Sequence, residues 1–163
     1  MRAALITVST SRTAGRAEDA SGPRLEALAE SLAAEVVARE LVTDRRDEIA
    51  ALLRRCADEL DCDLILTTGG TGFAPDDVTP EATRDVLERE APGIAEALRL
   101  ESRPHTRKWM VSRGVAGVRG RSLIVNLPGS PASIDQVGDV LREAVPHAVS
   151  LLRGESPAHR QPR

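Results

Sequence analysis

Apolar residues along this chain fall into two patterns. Short continuous runs alternate with longer stretches in which they recur every three or four positions. Ala3 to Val8 and Ser122 to Leu127 read as buried strands, and Val36 to Val42 and Asp63 to Thr68 as two further strands. Three- and four-residue spacing predicts helices between them. The first opens at Gly22-Pro23 and carries Leu25, Leu28 and Leu32; the second begins at Asp44 and carries Ile49, Leu52, Leu53, Cys56 and Leu60. Thr79-Pro80-Glu81 is a helix start, with a capping hydroxyl, a proline in the first turn and an acid near the positive end of the dipole. That helix is expected to run to about Glu90, where Pro92-Gly93 breaks it and a shorter helix carries Ile94 and Leu98. A last helix carries Ile134, Val137, Leu141, Val145, Ala148 and Leu152. Ser9 to Ser21 reads as a polar loop, and Met110 to Val118 is ambiguous, with a short strand as one reading.

Strands that alternate with helices imply a mostly parallel sheet, and continuous apolar strands imply cover on both faces. The expected fold class is α/β, a three-layer sandwich, in a single domain over residues 1–153, with 154–163 a flexible tail. Ligands of such sheets bind outside the carboxyl ends of the strands. The loops capable of chemistry all fall there: Ser9 to Thr13, Asp44, the glycine loop after the third long strand, and Pro128 to Pro131.

Composition narrows the function classes. With 163 residues, 41% hydrophobic and 29% charged, the balance is that of an ordinary globular domain burying roughly 70% of its unfolded surface. Phe73 and Trp109 are the only aromatics, which argues against the stacking platforms of single-stranded nucleic-acid binders. A net charge of −3 gives nucleic acid no general attraction. The charge is uneven, however. Arg99 to Arg121 holds seven basic residues and one acid, against an acidic remainder. Such a segment focuses anions, or is simply a solvated or subunit-facing surface. Cys56 and Cys62 read as small core hydrophobes, and their spacing fits no zinc motif. A strand beginning by Ala3 leaves no room for a secretory leader, and no apolar run reaches transmembrane length. A cytoplasmic protein without a membrane partner is expected.

The richest segment is Thr68-Gly69-Gly70-Thr71-Gly72, followed five residues later by Asp77-Val78-Thr79-Pro80. Three glycines in four residues permit close backbone approach to a ligand. Their unhindered N–H groups make a concavity for phosphate. Asp44 and Asp77 are the candidate ligands of Mg²⁺, which takes one or two carboxylates and completes its shell with water and substrate phosphates. Each has another reading: Asp44 as a helix N-cap, Asp77 as an Asx-turn with Asp76 the competing ligand. Ser130 and Pro131 suit the cap and first turn of the last helix, and the same free N–H groups suit an anion. Ser112-Arg113 offers a hydroxyl and a cation. His105, His147 and His159 lie outside these loops, and no GxSxG, Walker A or HExxH motif occurs.

Taken together, Thr68-Gly69-Gly70-Thr71-Gly72, Asp77-Val78-Thr79-Pro80-Glu81-Ala82, Ser112-Arg113 and Asn126-Leu127-Pro128-Gly129-Ser130-Pro131 closely resemble the MogA/MoaB family of molybdenum-cofactor biosynthesis. That family includes the plant Cnx1 G domain and a gephyrin domain, and the resemblance runs from Ala3 to about Leu152. It implies a MogA/MoaB-like fold and a Mg²⁺-dependent adenylyltransferase, in which the molybdopterin phosphate attacks the α-phosphorus of ATP and pyrophosphate leaves. It also implies that Asp44 and Asp77 are the catalytic, metal-binding pair. Ser9, Thr68, Gly69, Gly70, Thr71, Gly72, Ser112, Arg113, Pro128, Gly129 and Ser130 would then bind substrate. A homotrimer and a downstream MoeA-type molybdenum insertase are further implications. One departure stands out: the family's first loop commonly reads Val-Ser-Asp, and here it is Val8-Ser9-Thr10. The alternative reading is a non-catalytic molybdopterin-binding or scaffold protein of the same fold. An insertase would need additional domains.

Overall fold

The computed structural model describes residues 1–16 and 18–155. At its centre is one six-stranded sheet in the order β2-β1-β3-β6-β5-β4. The strands are β1 (Arg2–Val8), β2 (Glu35–Val42), β3 (Leu64–Thr68), β4 (Arg89–Glu90), β5 (Ala116–Arg119) and β6 (Ser122–Leu127). β2, β1, β3 and β6 run parallel, while β5 is antiparallel to both β6 and β4. The helices are α1 (Thr10–Thr13), α2 (Gly22–Ser31), α3 (Arg46–Arg54), α4 (Thr79–Arg84), α5 (Pro92–Ser102) and α6 (Pro131–Leu152). This is the α/β sandwich expected from the alternation.

Period-two geometry explains the three layers. Ala3 and Leu5 of β1, Leu64 and Leu66 of β3, and Leu123, Val125 and Leu127 of β6 face one side and pack with α2, α5 and α6. Ala4, Ile6, Val8, Ile65 and Ile124 face the other and pack with α3 and α4 through Ile49, Leu53, Ala82 and Val86. Both faces of these strands are thus buried. Ile6, Leu64, Ile65 and Leu66 are fully buried, each contributing about 1.5–3 kcal/mol of hydrophobic stabilisation. The core is aliphatic, as the shortage of aromatics requires.

Several boundaries differ from the expected ones. α3 begins at Arg46 rather than Asp44 and continues into a π-helical turn, Arg55–Glu59. α4 stops at Arg84 instead of running to Glu90. Beyond it, Arg89 and Glu90 pair with β5 at the sheet edge, and Leu87 packs against Gly117. Sheet pairing there overrides helix propensity. Thr79 is not a cap: it sits in the first turn, and its hydroxyl donates to the Gly69 carbonyl at 2.9 Å. The expected polar loop contains the short α1, and the ambiguous segment resolves into a 3₁₀ turn (Arg107–Val111) followed by β5. Of the expected tail, Gly154 and Glu155 close the turn after α6, and the remainder lies outside the described residues. No helix among the described residues is long and apolar enough to cross a membrane.

Candidate active site

The parallel strands β2, β1, β3 and β6 all end on one edge of the sheet, and each hands over there to one of the loops singled out above. Because β2 and β3 flank β1 on opposite sides, the chain reverses its winding direction at β1, and ligand crevices open at such points.

The glycine loop is wedged into this crevice. Gly69 has φ +97°, and a Cβ there would lie 2.3 Å from the Val8 carbonyl oxygen at the end of β1. On its other flank, a Cβ on Gly129 would lie 3.2 Å from the Gly69 Cα. Three strand ends therefore meet in backbone-to-backbone contact, which at Gly69 leaves no room for a side chain. Gly70 has φ +63° and lies against Thr79, whose N–H donates to the Gly70 carbonyl at 3.0 Å. Among the described residues the N–H groups of Gly70, Thr71 and Gly72 have no partner within the chain, so they remain available to an anion.

Both aspartates border this loop. Asp44 accepts from the Thr10 N–H through Oδ2 at 2.6 Å, and its Oδ1 lies 3.5 Å from the Cβ position of Gly70. It does not cap α3, whose N-cap is Arg45. Asp77 accepts from the Ala74 N–H through Oδ2 at 2.8 Å, and this oxygen lies 2.7 Å from the Cβ position of Gly72. Its backbone bond reaches back three residues, which is not the forward reach of an Asx-turn. Asp76 is exposed and makes no such contact. Each carboxylate therefore has one oxygen tied to backbone and the other unpaired among the described residues. A Cβ on either glycine would fill the space beside them. No three His, Cys, Asp or Glu side chains converge among the described residues. Two carboxylates beside a row of open N–H groups fit a hard divalent cation such as Mg²⁺, with the remaining positions left to phosphate and water.

Beside the loop opens a cavity of about 630 Å³. Gly70, Thr71, Gly72 and Asp77 form one wall; Ser112, Pro128, Gly129 and Ser130 form part of the rest. Ser130 is the N-cap residue of α6 but makes no side-chain cap bond, which leaves its hydroxyl to the cavity. Most of the residues singled out from the sequence thus converge.

Five do not line the cavity. Gly69 is wedged between the Val8 and Gly129 backbones, and Asp44 lies against Gly70 outside the lining. Ser9 caps α1, accepting from the Arg12 N–H at 3.4 Å. Thr68 is buried and donates to the Pro128 carbonyl at 2.7 Å, tying the third and last loops together. Arg113 is turned into the protein, where Nε donates to the Gly72 carbonyl at 2.6 Å, Nη2 to the Asp77 carbonyl at 2.5 Å and Nη1 to Glu81 at 2.5 Å. Its N–H also meets the Thr71 carbonyl at 2.9 Å. All three guanidinium nitrogens are committed to shaping the loop. Burial pushes the Glu81 carboxyl up, but the Arg113 hydrogen bond, a backbone hydrogen bond and the nearby Arg113 and Arg84 charges together hold Glu81 below the usual range.

The cations that do line the cavity are Arg99 and Lys108, together with Trp109, Ser133 and Gln136. Arg99 donates to the Gly114 carbonyl at 3.0 Å, which fixes its direction. Sequence reasoning found the basic segment but not which members face the cavity. Helical spacing was the available signal, since Arg99 lies four residues beyond Ala95 on the face of α5 that meets the wall. Arg119 and Arg121 pair instead with Asp58 and Asp61 at the far edge.

Residues 4–147 match the family model described as "Probable molybdopterin binding domain". The chain belongs to this molybdopterin-binding domain family. Membership places it in molybdenum-cofactor biosynthesis. It is 40% identical over 152 residues to a Helicobacter pylori protein named molybdopterin adenylyltransferase, covering 92% of this chain and 86% of that one. It is 35% identical to the Escherichia coli K12 protein of the same name, covering 94% and 86%. The Drosophila melanogaster protein named molybdenum cofactor synthesis protein cinnamon is 42% identical, but the chain spans 25% of its length. Among solved structures of the family, MoaB of Thermus thermophilus superposes with a TM-score of 0.88 at 46% identity, covering 94% of this chain and 96% of that one. A MogA structure gives the same TM-score at 36% identity, covering 93% and 99%. The MogA/MoaB-like fold and family expected from the motifs are thereby established.

Proposed function

We propose that the chain is a molybdopterin adenylyltransferase, a nucleotidyltransferase that moves AMP from ATP to the molybdopterin phosphate in a Mg²⁺-dependent reaction. The observation that carries this reading is the pairing of two half-tied carboxylates with the open N–H groups of one glycine loop, a loop that forms one wall of a cation-lined cavity. The names of relatives at 35–40% identity over most of their length point the same way.

The cavity suits the pterin, with Trp109 and the Arg99 and Lys108 cations in its wall and the Ser112, Ser130 and Ser133 hydroxyls as hydrogen-bonding groups. The triphosphate lies along the glycine loop, between Asp44 and Asp77. An oxygen of the molybdopterin phosphate attacks the α-phosphorus, a new P–O bond forms, and the bond to the bridging oxygen breaks as pyrophosphate departs with its electron pair. The protein supplies no nucleophile. It holds donor and acceptor in line, and it offers N–H dipoles and cations to the charge that spreads over the phosphate oxygens. Mg²⁺, when held by Asp44 and Asp77, supplies Lewis-acid neutralisation of that charge.

A homotrimer that hands its product to a MoeA-type insertase in the cytoplasm completes the proposal. Phe73, Met110 and Leu100 are large apolar side chains that stand exposed, at 72%, 65% and 57%, which favours self-association. Light scattering coupled to gel filtration tests the trimer directly.

The function is tested by mixing protein, molybdopterin, ATP and Mg²⁺ and following pyrophosphate. One pyrophosphate per adenylylated molybdopterin is expected. Pterin binding, read from Trp109 fluorescence, without pyrophosphate release would instead favour the non-catalytic binding protein.

A further inference from the structure

The surroundings of Thr10 assign it a task. Thr10 and Asp44 are joined by two hydrogen bonds in opposite directions. The Thr10 N–H donates to Asp44 Oδ2 at 2.6 Å, and the Asp44 N–H donates to Thr10 Oγ1 at 3.0 Å. One residue earlier, the Ser9 N–H donates to the Val42 carbonyl at 2.8 Å, the last backbone rung between β1 and β2. The reciprocal pair therefore extends the β1–β2 ladder beyond the strands, using side chains for the rungs that the diverging backbones no longer form.

Thr10 is itself anchored. Its carbonyl accepts from the Ala14 N–H at 3.1 Å, and the Thr13 hydroxyl donates to the Ser9 carbonyl at 2.8 Å. A fixed donor on an anchored backbone holds Oδ2 in place, and so directs Oδ1 toward Gly70. A carboxylate bonded in this way has less rotational freedom to lose when its other oxygen takes a ligand.

We propose that Thr10 is a positioning residue: its N–H and hydroxyl together orient the Asp44 carboxylate so that Oδ1 presents to a divalent cation at the glycine loop. This rests on the reading of Asp44 as a metal ligand. The Thr10 hydroxyl acts on the Asp44 backbone and the Thr10 N–H on its carboxylate, so the two contributions separate by mutation.

Thr10→Val removes the hydroxyl and keeps the shape. Thr10→Pro also removes the N–H, at the first position of α1, where proline is tolerated. Ser9 before it has φ −170° and ψ 113°, extended backbone of the kind that precedes proline. Thr10→Ser keeps both groups. The full chain of each variant is titrated with Mn²⁺–ATP and followed by water-proton relaxation enhancement, a readout independent of turnover. The half-saturation for Mg²⁺ and kcat are measured in parallel.

Expected are a rise in the Mn²⁺–ATP dissociation constant of about threefold for Thr10→Val and roughly tenfold for Thr10→Pro, as loss of a charge-assisted bond to a ligand implies. Thr10→Ser restores wild-type binding. The Mg²⁺ half-saturation rises in step, and kcat at saturating metal falls less. If Thr10→Val and Thr10→Pro, both folded by circular dichroism, bind Mn²⁺–ATP as wild type does while Asp44→Asn does not, the positioning role is wrong and Asp44 remains a ligand. Should Thr10→Pro unfold, Thr10→Val decides alone. If Asp44→Asn itself binds normally, the metal reading fails and this inference with it.

Discussion

The Arg113 guanidinium donates to the main-chain carbonyl of Asp77 at 2.5 Å. The same group holds the Gly72 carbonyl and the Glu81 carboxylate, so one planar fork ties the glycine loop, the candidate ligand and the first turn of α4 together. Phe73 lies under it, 5.7 Å from ring centroid to guanidinium.

Lysine cannot reproduce three directed bonds from a planar group. Arg113→Lys is therefore expected to lower pyrophosphate release by about tenfold or more, although no atom of Arg113 lines the cavity. The half-buried Glu81 would lose its partner, a destabilisation of about 1–3 kcal/mol, visible as a fall in Tm of several degrees. Wild-type turnover in a folded Arg113→Lys variant would show that the loop keeps its shape without the clamp.

Asp44→Asn and Asp77→Asn are expected to stay folded, because asparagine retains an acceptor for the Thr10 and Ala74 N–H groups. Each is expected to lose about a hundredfold or more in pyrophosphate release, the scale seen when one group that stabilises transition-state charge is removed. Activity near wild type in either variant refutes that carboxylate's assignment.

Gly69 and Gly93 make opposite predictions. At Gly69 the backbone is left-handed and a Cβ would collide with the Val8 carbonyl at 2.3 Å. Gly69→Ala should destabilise by about 3 kcal/mol or more, since neither backbone can yield without breaking the β1–β3 pairing. Gly93 stands in the first turn of α5 with nothing within 4 Å of its Cβ position. Gly93→Ala should raise stability by up to about 1 kcal/mol. Thermal melts of both variants are decisive, and equal effects would contradict the packing.

At the opposite edge of the sheet, Asp63 receives the Arg2 N–H at 2.5 Å and Arg153 Nε at 2.7 Å, pinning the end of α6. Burial pushes Asp63 up, but the hydrogen bonds from Arg153 and Arg2 outweigh it and hold the carboxyl below its ordinary range. A lowered carboxylate contributes stability above its unfolded value, near 3.9, and that contribution disappears as pH falls through the folded value. The Tm difference between wild type and Arg153→Gln should thus be full at pH 6–7 and shrink below about pH 4. A difference that persists unchanged to pH 3 would mean the pair is not the source.

Much of this arrangement was legible in the sequence because it depends on local chemistry. Leu64, Ile65 and Leu66 announce a doubly buried strand, and Gly69-Gly70-Thr71-Gly72 announces a backbone that must approach something. What the something is was partly hidden. That Gly69 answers to Val8 and Gly129 is a matter of strand order, which no local pattern specifies. Arg113 looked like a phosphate ligand because charge is visible in sequence and direction is not; its three acceptors come from residues 32 to 41 positions away. The premature end of α4 had the same cause, since β5 lies far along the chain and sheet pairing outweighs helix propensity. Thr10 looked like a loss because its partner, Asp44, is 34 residues distant.

The two cysteines offer a last test of the packing on the α3–α4 side of the sheet. Cys56 ends up in the π-helical turn and Cys62 just before β3; both are buried, and the Cys62 N–H donates to the Cys56 carbonyl at 3.1 Å. Burial pushes the Cys56 thiol up to about 12 and raises Cys62 as well. Only thiolate attacks a disulfide reagent, so two such groups are unreactive while the fold holds. At pH 8 native protein should release almost no chromophore from an aromatic disulfide reagent within minutes, and two equivalents per chain after denaturation. Rapid labelling of the native protein would mean that this layer opens, and that the sheet is not covered there as described.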